Sequence, residues 1–136
     1  MPIGDFRLQI FLEKYYFMDK NQFKQRTKSF AVSTAKYCKS LTYDHIIKSY
    51  IDQVVRASAS VGANYRAACR AKSKPDFINK MRIVEEDADE SLYFLELLAE
   101  FNPSKKAELR ILYKEGNELL SMTVASITTT LKNQAK

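Results

Sequence analysis

QVVRASASVGANYRAACRAKSKPDFINKMRIVEEDADESLYFLELL, residues Gln53–Leu98, reads as the end of one long helix, a short connector and a second long helix. In the first, Ile47, Ile51, Val54, Ser58, Val61, Tyr65 and Ala68 keep a 4-3-4-3 rhythm. In the second, Phe77, Met81, Val84, Ala88, Ser91, Leu95 and Leu98 repeat it. A sustained 3.5-residue period holds one stripe on one helix face and marks near-parallel bundle packing rather than steep crossing. The stretch Ala57–Ala63 is nearly devoid of bulk. Glycine inside a helix costs about 1 kcal/mol relative to alanine, so Gly62 implies close approach by a neighbouring helix. Asn64 beside it carries an amide that needs partners if buried.

Ser73-Lys74-Pro75-Asp76 stops one helix and starts the next. Proline is tolerated in a first helical turn, where its missing amide hydrogen is no loss. Ser73 as cap with Asp76 three residues on resembles a capping box. Upstream, a helix is expected from about Asn21 to Ser40, with Phe23, Thr27, Phe30, Thr34, Tyr37 or Cys38, and Leu41 at three-to-four spacing. Thr42 or Asp44 then caps the helix that runs from Asp44 to about Ala71. Downstream, Asn102-Pro103-Ser104 breaks the chain, and Leu109, Leu112, Gly116, Leu119, Thr123, Ser126 and Thr130 mark a last helix, about Lys105 to Lys132. Its β-branched end, Thr128–Thr130, is predicted to fray. Four helices with short connectors favour an all-α, antiparallel up-down-up-down four-helix bundle. The expected organisation is one domain: a bundle over residues 21–132 and a short N-terminal arm over residues 1–20. In that arm Phe6, Leu8, Ile10 and Leu12 alternate while Phe11, Tyr15 and Met18 suit a helix, so it reads as a segment packing on something else.

Three glycines and three prolines in 136 residues argue against an all-β fold, which needs a turn about every 8–12 residues. Cys38 and Cys69 lack metal or redox spacing and read as reduced, buried thiols. No apolar run approaches the roughly 20 residues that span a bilayer, and no secretory signal pattern opens the chain. A soluble, cytoplasmic protein without membrane contact is expected. The net charge of +6 is unevenly spread. Residues 1–82 hold sixteen Lys and Arg against six Asp and Glu, whereas residues 83–136 hold six against ten. Such a split suits a basic surface for nucleic acid, or charge-complementary packing between helices or subunits.

The carboxylates Glu85, Glu86, Asp87, Asp89 and Glu90 invite comparison with di-iron bundles, which need a Glu-x-x-His pair. No histidine follows at that spacing, and the only one, His45, opens the second helix. No phosphate loop or nucleophile elbow exists. The expectation is no enzyme, no metal and no cofactor, with some acids solvated and others paired to Arg56, Arg66 or Arg70. On the second helix, steps of about 100° put Lys48, Arg56, Arg66 and Arg70 within one arc opposite the apolar stripe. Lys72 and Lys74 extend it into the connector. Such a ridge could track a phosphate backbone with salt-sensitive, largely sequence-independent affinity. The structural alternative is a solvated face, or one neutralised by the acidic helix. Sixteen Tyr and Phe exceed what a narrow bundle core buries, which points to aromatic subunit contacts, with Tyr93 and Phe94 the best candidates.

SVGANYRAACRAKSKPDFINKM followed by VEEDADESLYFLELL resembles the bacterial four-helix-bundle proteins first known from intervening sequences in 23S ribosomal RNA genes. The accessory variability determinant proteins of diversity-generating retroelements are relatives of the same bundle type. The resemblance is carried by Arg56, Ser60, Gly62, Ala63, Asn64, Tyr65, Ala68, Ser73, Phe77, Ala88, Glu90 and Ser91. It covers Gln53–Leu98 strongly and Arg26–Leu120 tolerably. This chain departs from the pattern at Ala67, where an acid is usual, and at Phe94, where Trp is frequent.

The resemblance implies an antiparallel bundle assembling as a ring, most often a homopentamer. It also implies, from the retroelement relatives, binding of RNA or DNA and engagement of a nucleic-acid enzyme such as a reverse transcriptase. Carried onto this chain, the nucleic-acid contacts fall on Arg56, Arg66, Arg70, Lys72 and Lys74. Inter-helix or inter-subunit packing falls on Gly62, Asn64, Tyr65, Glu90, Tyr93 and Phe94. The leading expectation is a non-catalytic ring binding RNA or DNA. The alternative is a purely structural or protein-partner oligomer.

Overall fold

The computed structural model describes residues 19–134. They form α1 (Lys20–Lys39), α2 (His45–Ala68), α3 (Lys74–Phe101) and α4 (Lys106–Gln134), the last entered through a 3-10 turn at Pro103–Lys105. The fold is all-α, with no strand among the described residues. Each helix packs on its neighbour in sequence and α1 returns onto α4, while among the described residues no diagonal pair brings its backbones as close. That pattern is consistent with up-down-up-down order. The expected N-terminal arm lies, save its last two residues, outside the described residues.

Capping sets the helix starts. Asp19 opens α1 one residue ahead of the expected start through a reciprocal box. Its carboxylate accepts from the Gln22 amide at 2.7 Å, and the Gln22 side chain accepts from the Asp19 amide at 3.2 Å. Of the two candidate caps for α2, Asp44 serves, accepting from the Ile46 and Ile47 amides at 2.9 Å each. Ser73 caps α3 by accepting from the Asp76 amide at 3.1 Å. The return half of the expected box is shifted, because the Asp76 carboxylate accepts from the Lys72 amide at 3.0 Å. α2 stops before Ala71, since the Arg70 and Ala71 amides turn back onto Ala67 and Ala68. The β-branched end of α4 stays helical to Gln134. There the Thr128 and Thr130 hydroxyls donate to the Val124 and Ser126 carbonyls, and Ile127 is buried.

The four stripes meet in the core. Phe30, Val54, Val61, Met81, Val84, Leu95, Leu98 and Leu119 are sealed from solvent, while Ile51 and Phe77 lie at its margin. The small centre of α2 admits α1: a Cβ built on Gly62 would sit 3.1 Å from Thr27 Oγ1 and 3.4 Å from Thr27 Cβ. Gly116 on α4 plays the same part, its missing Cβ 3.0 Å from Phe30 and Leu92. Buried hydroxyls mostly donate within their own helices, Thr27 to Lys24, Ser91 to Asp87 and Thr123 to Leu119. Thr34 Oγ1 and Tyr37 OH are buried without a partner.

Replacing Gly62 with Leu should therefore cost about 2–3 kcal/mol through overpacking on Thr27. Thr34→Val removes an unpaired buried hydroxyl at nearly constant shape, and should leave stability unchanged or raise it by about 1 kcal/mol. Urea unfolding of each variant reads both effects.

Candidate nucleic-acid interface

The basic arc of α2 divides in two. Toward its start the charges are spent locally: Lys48 bonds Asp52 at 2.6 Å, and Arg56 pairs across the α2–α3 seam with Glu90 while reaching Gln53 at 3.4 Å. Toward its end, Arg66, Arg70, Lys72 and Lys74 are exposed. Among the described residues none of these four has a carboxylate within salt-bridge distance. The nearest acid in sequence, Asp76, is engaged by Lys80 at 2.7 Å through both oxygens. That contact, with the Lys72 amide, holds its carboxyl below the ordinary range.

Other cations gather at this end. Phe23 and Tyr65 pack with ring centroids 4.4 Å apart, which brings the first turn of α1, with Lys20 and Lys24, beside the last turn of α2. Arg82 adds an exposed charge early in α3. Sequence reasoning missed these three; for Lys20 and Lys24 the lack of any acid between Lys20 and Thr42 was the available signal, and for Arg82 there was none. The same packing buries Tyr65, whose phenol is pushed up by desolvation and by its neighbour Cys69.

The remaining candidate residues serve helix contacts. Asn64 donates at 3.0 Å both to the Ser60 carbonyl and, across the seam, to Asp87 Oδ2. Asp87 is nearly buried, and desolvation pushes its carboxyl above the usual range against the opposing pull of Asn64 and Arg56; Glu90 and Glu86 push the same way as burial. A further cation was not singled out from the sequence. Arg26 on α1 pairs with Glu115 and, at 2.8 Å, with Glu118, both on α4. The Glu115 hydrogen bond, opposed by partial burial, holds its guanidinium charged above the ordinary value. Tyr93, 56% exposed, stands edge-on to Phe94 at 5.4 Å, and Tyr50 lies 6.3 Å from Phe94 and 5.8 Å from the exposed Phe101. Tyr93 and Phe101 thus stand at the surface, while Tyr50 and Phe94 are partly buried against the edge of the core.

His45 is exposed at the start of α2. Among the described residues no three His, Cys, Asp or Glu side chains gather to hold a metal ion. Burial pushes the Cys38 thiol up to about 11, which keeps it protonated and unreactive. Among the described residues no helix is long and apolar enough to cross a membrane.

The family described as 23S rRNA-intervening sequence protein matches residues 19–125. The chain belongs to this family. A crystal structure of a protein of unknown function from the S23 ribosomal protein family of Bacteroides thetaiotaomicron VPI-5482 is similar to it, with 30% identity and a TM-score of 0.73. That similarity covers 82% of this chain and 99% of the other. No curated protein matches. The 23S rRNA-intervening sequence family match starts at the Asp19 cap and takes in the basic end, the Asn64–Asp87 contact and both α1–α4 ion pairs.

Because burial disfavours the Asp87 carboxylate, the native state binds its proton more tightly than the unfolded chain does. The stabilisation this gives is complete below the unfolded carboxylate range, near pH 4, and is lost as pH rises through the raised native value. Asp87→Asn, which keeps an acceptor for Asn64, should match the parent near pH 4 and become progressively more stable than it toward pH 7. Thermal melts across that interval test the sign.

Proposed function

We propose that this protein is a non-catalytic helical bundle that binds RNA or DNA through the basic end formed by Arg66, Arg70, Lys72 and Lys74. The observation that carries this reading is the contrast along α2 and the connector after it: Lys48 and Arg56 have acidic partners, whereas Arg66 near the end of α2, Arg70 and Lys72 in the connector and Lys74 at the start of α3 have none among the described residues. Exposed cations without partners exchange counterions for phosphates at low cost, and the affinity they give falls steeply with salt. Arg56, tied to Glu90, stands at the margin of this surface. The reading extends to a ring, a homopentamer in the cytoplasm, with residues 21–132 as its single bundle domain. It acts there as an accessory to a nucleic-acid machine such as a reverse transcriptase.

A second reading, an oligomer with a structural or protein-partner role, draws support from the exposed Tyr93 and Phe101, which stand over the half-buried rings of Tyr50 and Phe94. Rigid aromatics of this kind are enriched at subunit contacts. The two readings share the ring and differ in what the basic end does.

Light scattering of the protein, alone and titrated with structured RNA and duplex DNA across salt, separates them. Changing Arg66, Arg70, Lys72 and Lys74 together to Gln should abolish binding while the oligomer persists. If all four contact phosphates, the parent's log–log salt slope is about −3 to −4. Binding that survives the change intact overturns the assignment, and dissolution of the oligomer assigns these charges to subunit contacts instead.

A further inference from the structure

Two contacts fix which way the cations of α1 and α2 point. Arg26 pairs with Glu115, so that flank of α1 meets α4. Lys24 lies two residues back, about 200° round the helix, on the flank beside α2. Lys20 and Lys28, one turn either side of it, share that flank. On α2, Asn64 meets Asp87 of α3. Arg66 is again about 200° round, one turn beyond Gly62, which faces Thr27 of α1. Arg70 follows one turn later. The Phe23–Tyr65 and Thr27–Gly62 contacts set the register: Lys20 and Lys24 stand level with Arg66 and Arg70, and Lys28 with the exposed Ala59. Two facing rows of cations therefore border the outer edge of the α1–α2 seam, on helix axes about 8–10 Å apart. Among the described residues none of the five has a carboxylate within salt-bridge distance. The surface between the rows is low, made of Ala31, Ala59 and Gly62.

Resting on the nucleic-acid reading above, we infer that Lys20, Lys24 and Lys28 of α1 and Arg66 and Arg70 of α2 form a two-sided track. The track holds one phosphodiester strand of a duplex along the α1–α2 seam. Lys20 to Lys28 covers about 12 Å of helix. That is enough for about four phosphates of one strand, spaced roughly 3.4 Å along a duplex axis. The low floor lets the backbone lie close, with a cation reaching each phosphate from one side or the other. The two rings at this level, Phe23 and Tyr65, are turned onto each other and buried, so the grip is on phosphate rather than on stacked bases. Contacts of that kind position a duplex without reading its sequence, and DNA and RNA both offer them. The acid-free run from Lys20 to Thr42 suits α1 to this role, since no carboxylate of its own repels the strand. Lys72 and Lys74 prolong the track past the end of α2.

Fluorescence anisotropy of a short labelled DNA duplex, titrated with the full-length protein across salt, counts the contacts. With the α1 row added to the four cations of the basic end, the log–log salt slope should be about −6. Changing Lys20, Lys24 and Lys28 together to Gln should return it to about −3 to −4 and weaken binding at least about tenfold, with helicity unchanged. Lys36→Gln with Lys106→Gln and Lys114→Gln removes the same charge at exposed positions off the seam, and should keep the slope near that of the parent. Ala59→Glu sets a carboxylate on the floor and should weaken binding about tenfold, whereas Ala59→Gln, of the same size, should change it less than about twofold. A parent slope of about −3 to −4, or equal losses in the α1 triple and its control, overturns the track and leaves the basic end standing. A parent that ignores the duplex overturns both, and capture by phosphatidylserine vesicles in its place assigns the rows to a membrane surface.

Discussion

Everything in this bundle depends on how closely α1 and α3 can approach the centre of α2. Ala57, Ser58 and Gly62 present almost no side-chain height, and the Thr27 side chain crowds the space a Gly62 methyl would need. Close approach brings the polar edge of the α2–α3 seam within reach, so that Asn64 meets Asp87 and Arg56 meets Glu90. A bulkier centre would hold those helices apart and leave a nearly buried carboxylate without its amide partner. The small residues thus fix the geometry in which the polar ones are satisfied.

Charge is distributed in the same logic. Cations that face a neighbouring helix are consumed by it: Arg56 by α3, and Arg26 by two carboxylates of α4. Cations at the end where α1 begins and α2 finishes face outward, and the acid closest to them in sequence is already engaged by Lys80. Along α2 and the connector after it, the cations without a partner therefore gather at the end rather than the start.

Much of the fold was legible because period and punctuation carry it. Most positions of the 4-3-4-3 stripes are buried, with Ile51 and Phe77 at the margin, and Asp44 and Ser73 cap the helices they precede. The end of α4 was misread because propensity scores a threonine run without the carbonyls its hydroxyls can bond four residues back. Arg26 escaped notice for a different reason: its partners lie 89 and 92 residues away, and nothing local in the sequence marks a bridging arginine. The basic arc was visible as geometry, and so was the Lys48–Asp52 spacing, but the pairing of Arg56 depends on which acids of α3 face α2. A stripe does not encode that.

The order in which the helices touch has a kinetic consequence. The most extensive contact joins α2 to α3, consecutive helices separated by a five-residue connector, Cys69–Ser73. Only the α1–α4 closure is distant in sequence, and it is the smallest of the four. Proteins dominated by local contacts reach their native state fast, because little loop entropy is spent before contacts reward it. During synthesis the α2–α3 hairpin can form once Phe101 has emerged from the ribosome, with α4 settling last onto a scaffold already in place.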